Sequence, residues 1–307
     1  MAFLVFIVEA QVYKFIVNPV AGCGRSKKNL KVATEYLDSH QVSYDVAYTV
    51  GPGHATELAQ LAAKEGQTVI AVGGDGTLSE IAKGLKHTDG VMGILPGGTG
   101  NDYRHSLNIP SDPLAAMNII MDGYQKKVDT VDFDGRTCVN IVSMGFDVDV
   151  LRRSKRYRFT GHSAYTFAAI EAAFFSKCQS AKITVDDEVY HQPFLLMALG
   201  CGTYYGGGMK ALPKANTTDG MLDLCFFDAI GSLKILQLLP KYMKGLHESI
   251  PVTHMLKAEK VTIELDKSAL SINCDGEILP PVSKATFKIE PASLNVIYSD
   301  RAITETP

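Results

Sequence analysis

The sequence predicts an α/β N-terminal domain built on a parallel sheet, followed by a mostly antiparallel, β-rich C-terminal domain. Three observations predict it. Up to about residue 125, short apolar runs alternate with segments of helical period. Each of those apolar runs ends in a loop of small or polar residues. From about Val128 the helical periods give way to short β-rich runs separated by Asp, Gly, Pro and Asn.

YKFIV (13–17) is the first strand, and Leu30, Ala33 and Leu37 share one face of the helix after it. VSYDVAY (42–48) alternates as a half-buried strand does, and Ala55, Leu58, Ala59 and Ala62 fall at i, i+3, i+4 and i+7. TVIAV (68–72) is continuously apolar, as expected of a strand buried on both faces. Leu78, Ile81, Ala82 and Leu85 form the next helical stripe. VMGIL (91–95) is a fourth strand, and DPLAAMNIIM (112–121) a helix with proline near its start. Beyond Val128, TCVNIVSM, AKITV, EVYHQPFLLMAL, MLDLCFF, VTIELD, ALSINC, ATFKIE and LNVIYS read as strands. Helices are expected near 163–175 and 232–246, with Pro240 bending or ending the second. The predicted division is 1–127 and 128–291, with 292–307 considered below.

The 307 residues are 46% apolar and 21% charged, an ordinary globular composition. A net charge of −3 argues against bulk attraction to nucleic acid, so no nucleic-acid partner is expected. The six cysteines form no C-x-x-C pair and the eight histidines no H-E-x-x-H. Reduced thiols in a cytoplasmic protein are therefore expected, rather than a disulfide framework or a zinc site. The apolar start, MAFLVFIVEAQVYKFIVNP, is interrupted by Glu9, Gln11 and Lys14, short of the roughly 18 residues of a spanning helix, and lacks a signal peptide's early positive charge. It reads as a leader running into a strand that ends at Val17.

The four parallel strands lead into NPVAGCGRS (18–26), TVGPGHA (49–55), GGDGT (73–77) and PGGTGND (96–102). Ligands of open α/β sheets bind outside the carboxyl ends of the strands. Glycine lets backbone N–H groups approach an anion, and a helix N-terminus adds unpaired donors and positive potential. Any one such loop is as readily a tight βα turn; four on one edge read as a phosphate cradle. No Walker A motif occurs, and none of the four completes G-x-G-x-x-G. Asp75 among these glycines would repel a phosphate unless a divalent cation lay between them, or it is simply a turn or capping residue. Thr77-x-x-Glu80 also reads as a capping box.

NPVAGCG, GGDGTLSE, PGGTGND, GFD (145–147), TDGMLD (218–223) and DGE (275–277), in this order, resemble the diacylglycerol kinase catalytic-domain family, in particular its small soluble bacterial lipid kinases. The likeness runs from about residue 13 to 298. GGDGT alone is shared with NAD kinases and phosphofructokinases; the run of six motifs is specific. The resemblance implies an NAD kinase/phosphofructokinase-like nucleotide-binding domain, a β-rich lipid-substrate domain, an active site between them, and a final stretch, 292–307, that returns to the first domain. It implies ATP and magnesium as cofactors, with ATP contacted by Asn18, Pro19, Val20, Ala21, Gly22, Thr49, Gly74, Asp75, Gly76, Thr77, Leu78, Ser79, Glu80 and Thr99. Asp75 would act with the catalytic magnesium, near Asp102 and Asp129. Glu277 would be the general base toward a lipid hydroxyl; locally, Asp275-Gly276 reads equally as a hairpin turn flanked by Glu277. Asp219, with the backbone carbonyls of Asn216 and Met221, would hold a second, structural magnesium, where local pattern alone gives a type I turn. Diacylglycerol is the family's default acceptor, with phosphatidylglycerol, a polyprenol or a sphingoid base as alternatives, and a homodimer is implied.

Two features depart from the family: His105 stands where it carries arginine, with Arg104 one position earlier, and the leader before Tyr13 has no counterpart. LRRSKRYRF (151–159) sets Arg152, Arg153, Lys155, Arg156 and Arg158 beside Tyr157 and Phe159. It reads either as a peripheral contact with an anionic membrane or as a solvated loop. The competing enzyme is an NAD kinase, which needs an Asn-Glu pair that this chain lacks. A non-catalytic nucleotide or lipid sensor is the third reading, and the presence of Asp75, Asp102 and Glu277 argues against it.

Overall fold

A computed structural model describes residues 12–154, 156–157, 163–267 and 269–301. The leader through residue 11, Lys155, Arg158 and Phe159 of the basic segment, and residues 302–307 lie outside the described residues.

Strands β1 (Tyr13–Val17), β2 (Tyr44–Tyr48), β3 (Thr68–Gly73) and β4 (Val91–Pro96) form a parallel sheet in the order β2-β1-β3-β4. Helices α1 (Arg25–Ser39), α2 (His54–Lys64), α3 (Asp75–Leu85) and α4 (Pro113–Asp122) follow the four strands in turn. The stripes read from sequence are buried, Leu30, Ala33 and Leu37 on α1, Ala55, Ala59 and Ala62 on α2, and Leu78, Ile81, Ala82 and Leu85 on α3, except for Leu58 of α2, which is only partly buried. They pack on the continuously buried β3 to form the first core. Asp112 caps α4 by accepting the Ala115 N–H at 2.9 Å, and Pro113 opens its first turn.

The second half contributes β5 (Gln125–Phe133), β6 (Arg136–Cys138), β7 (Ile141–Gly145), α5 (Phe146–Ser154), α6 (Ser163–Phe175), β8 (Gln179–Val185) and β9 (Glu188–Gly200). It continues with β10 (Leu222–Asp228), α7 (Ser232–Met243), β11 (Thr253–Ala258), β12 (Lys260–Leu265), β13 (Ile272–Cys274), β14 (Glu277–Ile278) and β15 (Lys284–Ile297). Its strands pair antiparallel, in the order β13-β7-β9-β8-β12-β15. One core contains Phe194, Met197 and Leu199; the other, under α5, α6 and α7, contains Leu195, Leu196 and Ala198. A bulge where β9 meets β10 leaves Leu195 unpaired between Phe194 and Leu196, so two successive leucines reach the helical side. The chain thus has an N-terminal α/β domain with parallel strands and a C-terminal antiparallel β-rich domain.

β5 and β15 join the two. They pair antiparallel from Phe287↔Phe133 to Ile297↔Gln125, while Asn295 and Val296 of β15 pair in parallel with Val91 and Met92 of β4. ATFKIE and LNVIYS, read separately from sequence, are therefore one strand, irregular between Glu290 and Leu294. Pro240 lies inside α7, which continues to Met243. The capping box does not form: α3 starts at Asp75 with Gly74 as its N-cap, and the Glu80 carboxylate instead accepts the Ala55 N–H of α2 at 3.2 Å. All six cysteines are free.

Candidate active site

The four glycine-bearing loops converge at the carboxyl edge of β1–β4. Asn18 donates from its side-chain amide to the Thr77 hydroxyl at 3.3 Å, and Arg25 donates to the Gly98 carbonyl at 2.9 Å. Gly98 lies against Gly74 so closely that a Cβ there would stand 2.3 Å from the Gly74 Cα, so neither loop has room for a side chain.

Asp75 begins α3 and accepts the Tyr103 N–H at 3.2 Å. Asp102, on the fourth loop, accepts the N–H groups of Gly207 at 2.9 Å and Gly208 at 2.8 Å. Gly206, Gly207 and Gly208 all hold positive φ, a run that presents successive N–H groups to one anion and that only glycine adopts easily. The two carboxylates close on one point. A Cβ added to Gly100 would lie 3.0 Å from Asp75 Oδ2 and 3.2 Å from Asp102 Oδ2. Burial, then the Asp102 charge, raises the Asp75 carboxyl to about 7. Burial raises Asp102 as well, opposed by its two glycine donors and by the Arg104 charge. Hard carboxylate oxygens, facing each other and short of cationic partners, fit a divalent cation such as magnesium.

The opposite wall comes from the second domain. Asp275 is buried and accepts Val139 N–H at 2.9 Å, Asn140 N–H at 3.1 Å, Ile141 N–H at 3.2 Å, the Cys138 thiol at 3.0 Å and the Ser79 hydroxyl. Every lone pair is used, so it is a structural pin. Cys138, Cys274 and Asp275 cluster closely, and Asp275 is spent on these bonds. Glu277 is exposed, beyond the turn at Asp275-Gly276, and lines the same cleft of about 840 Å3 as Asp75 and Asp102.

That cleft also takes in Asn18 to Gly22, Thr49, Gly74, Gly76, Thr77, Glu80 and Thr99. It does not take in three other predicted residues. Leu78 faces the first core, Ser79 is bonded to Asp275, and Asp129 is buried at the domain junction, where it accepts the Gly220 and Ala292 N–H groups, each at 2.8 Å. The second magnesium set does not fit a divalent cation either. Asp219 Oδ1 accepts the Met221 N–H at 3.2 Å and Oδ2 pairs with the Lys257 ammonium, which also lies 3.3 Å from Asp223, so both oxygens of its one carboxylate are engaged. The Lys257 ammonium thus supplies the positive charge at Asp219. In the basic segment, Arg153 and Arg156 pair with Glu171, and Arg152 donates to Ser271. At the departure from the family, Arg104 is buried and donates to the Ile109 carbonyl at 2.9 Å, while His105 packs on Tyr204.

Residues 12–133 match the family profile described as "Diacylglycerol kinase catalytic domain", and residues 140–298 match the "YegS C-terminal NAD kinase beta sandwich-like domain". The chain belongs to the diacylglycerol kinase and YegS-like lipid kinase family. It is 29% identical over 294 residues to a diacylglycerol kinase of Mycobacterium tuberculosis, covering 92% of this chain and 93% of that one. It is 30% identical over 245 residues to a YegS-like lipid kinase of Chromohalobacter salexigens, covering 78% of each. A Bacillus anthracis structure described as a diacylglycerol kinase superposes with a TM-score of 0.81 at 25% identity, covering 96% of this chain and 97% of that one.

This member of the lipid kinase family carries a second cavity, of about 800 Å3, between α5, α6, α7 and the sheet. Its walls are apolar, with Phe146, Leu195, Leu196, Phe227 and Leu239 among them, and it meets the first cleft at Thr99, Gly100, Asp147 and Tyr205. No helix among the described residues is long and apolar enough to cross a membrane. Sequence reasoning missed the Tyr205–Gly208 turn, whose signal was the unremarked triple glycine in TYYGGGMK. It also took Asp147 only as part of a motif and gave Asp275 no role beyond a turn.

Proposed function

We propose that this lipid kinase transfers the γ-phosphate of magnesium-bound ATP to a lipid hydroxyl, with diacylglycerol the acceptor to which the relatives' names point. One observation carries the reading: the phosphate-type loops, the Asp75–Asp102 pair and Glu277 line one cleft, and an apolar cavity opens from it. Phosphoryl transfer asks for alignment and charge neutralisation, and each part has a source here. Backbone N–H groups of the first and third loops, with the α3 N-terminus, hold phosphate oxygens. Asp75 and Asp102 would hold a magnesium ion, which neutralises charge on the phosphates when bound. Glu277 takes the proton of the lipid hydroxyl as its oxygen bonds to the γ-phosphorus and the bond to ADP breaks.

The apolar cavity accepts lipid chains. Around it α6 exposes Phe167, Ile170, Phe174 and Phe175, and α7 exposes Leu233. These rings and side chains suit a bilayer interface, and they support peripheral docking better than the basic segment does, since Arg153 is committed to Glu171. Radiolabelled ATP, magnesium and a lipid panel test the function. Labelled phosphatidic acid from diacylglycerol is expected, with loss of about 100-fold or more in Glu277→Gln. ADP release without a labelled lipid, or full activity in the variant, overturns it.

A further inference from the structure

One face of α3 carries two polar side chains with different partners. Asp75, in the first turn, closes on Asp102 in the nucleotide cleft, and Ser79 stands four residues on, one turn along the same face. A serine inside a helix ordinarily bonds back to a carbonyl of the preceding turn. The Ser79 hydroxyl instead donates out of the helix to the buried Asp275 carboxylate. Asp275 and Gly276 make the two-residue turn between β13 and β14, both at positive φ, so Glu277 follows them without slack. Asn273 Oδ1 accepts the Gly276 N–H at 3.0 Å, and the Asn273 amide donates to the Ser143 hydroxyl at 3.0 Å. The base of the turn is thereby fixed within the second domain.

The Cys138 thiol and the N–H groups of Val139, Asn140 and Ile141 already give Asp275 four donors, as many as a carboxylate has lone-pair sites. Ser79 is a fifth, and among the described residues that donate to Asp275 it alone lies on α3. Its bond is therefore not needed to satisfy the carboxylate; what it adds is a link from the nucleotide helix to the turn. We propose that Ser79 is a positioning residue: its bond to Asp275 holds the turn, and with it Glu277, at a set distance from phosphates at the α3 N-terminus. The inference rests on the lipid-kinase reading, in which Glu277 takes the proton of the acceptor hydroxyl. The path from Asp75 to Glu277 is short, being one helical turn, one hydrogen bond and one tight turn. A general base must lie within hydrogen-bond reach of its proton, and a misplacement of about 1 Å can cost about 100-fold in rate. Ser79 does not line the cleft, so its effect reaches the reaction through Glu277 and not through nucleotide contact.

Steady-state kinetics of the full chain, with Mg-ATP and 1,2-dioleoylglycerol in neutral detergent micelles, test this in Ser79→Ala, Ser79→Thr, Glu277→Gln and the double variant. Ser79→Ala should lose about tenfold or more in kcat while KM for Mg-ATP stays within about twofold, since alignment is lost and binding is not. Ser79→Thr keeps the donor and should return kcat to within about threefold of wild type. In the Glu277→Gln background, Ser79→Ala should change kcat by less than about twofold, because residues that act as a unit are not additive. A serine that only supports the fold would instead lower the melting temperature, and its loss would multiply with that of Glu277→Gln. An unchanged kcat in Ser79→Ala, a loss confined to KM, or a loss that multiplies in the double variant overturns the inference and leaves the kinase reading standing. So does a threonine variant as slow as the alanine one at the wild-type melting temperature. Full activity in Glu277→Gln, or a wild type that labels no dioleoylglycerol, overturns the kinase reading and the inference with it.

Discussion

Asp75 carries two opposed demands: in the proposed reaction it shares a cation with Asp102, and in the metal-free protein that proximity is repulsive. Its folded carboxyl titrates at about 7, against an ordinary value of 3.8. Folding therefore favours the protonated form: this contribution to stability is fully present below pH 3.8 and is lost as pH rises through 7. In Asp75→Asn the metal-free protein should lose about 2 to 3 kcal/mol less stability than wild type between pH 5 and pH 8. Urea denaturation at the two pH values checks this, and parallel pH dependences would contradict it. The same residue stood out in sequence because a carboxylate among phosphate-type glycines needs a reason. Leu78 shows the limit of motif reading. Its helical stripe assigned it to the core while the GGDGTLSE motif assigned it to the nucleotide, and the buried face won.

β1 to β4 and α1 to α4 were legible because each is apolar with a single clear period. β5, β11 and α5 were not. QKKVDTVDF is exposed at its first residues and buried at its last, so it has no uniform pattern. THMLKA is only half-buried, and FDVDV alternates like a strand yet coils into a helix after Gly145. The DGE turn separates two roles that its sequence merges. Asp275→Ala removes the acceptor of three buried N–H groups and should cost about 2 to 4 kcal/mol, whereas exposed Glu277→Gln should stay within about 0.5 kcal/mol of wild type. Equal losses in urea melts would contradict this division. Lys257 of β11 neutralises Asp219, in the loop before β10, and Asp223 of β10. Lys257→Met should cost about 1 to 2 kcal/mol and enlarge the response of thermal stability to millimolar magnesium beyond that of wild type. Thermal shift with and without the ion reads both, and identical responses would contradict it.

Across the whole molecule, the two domains are held in one register by few but buried links. β5 and β15 run through both, Asp129 binds Gly220 and Ala292, Asp102 binds Gly207 and Gly208, and Ser79 binds Asp275. The side chains that join the halves are the acidic residues that a motif search assigns to chemistry, which is why Asp129 looked catalytic in sequence and serves as a junction in structure. The architecture was legible as a change of texture near Val128; the convergence of Asp75 and Glu277 on one cleft was implied only by the resemblance, since periodicity and spacing cannot show how these links dock one half on the other. A crystal structure with magnesium and a non-hydrolysable ATP analogue tests that convergence most directly. The account predicts a metal about 2.1 Å from Asp75 carboxylate oxygen, beside Asp102, with the terminal phosphate facing Glu277 across the cleft. A nucleotide bound elsewhere, or one whose terminal phosphate points away from Glu277, would contradict it.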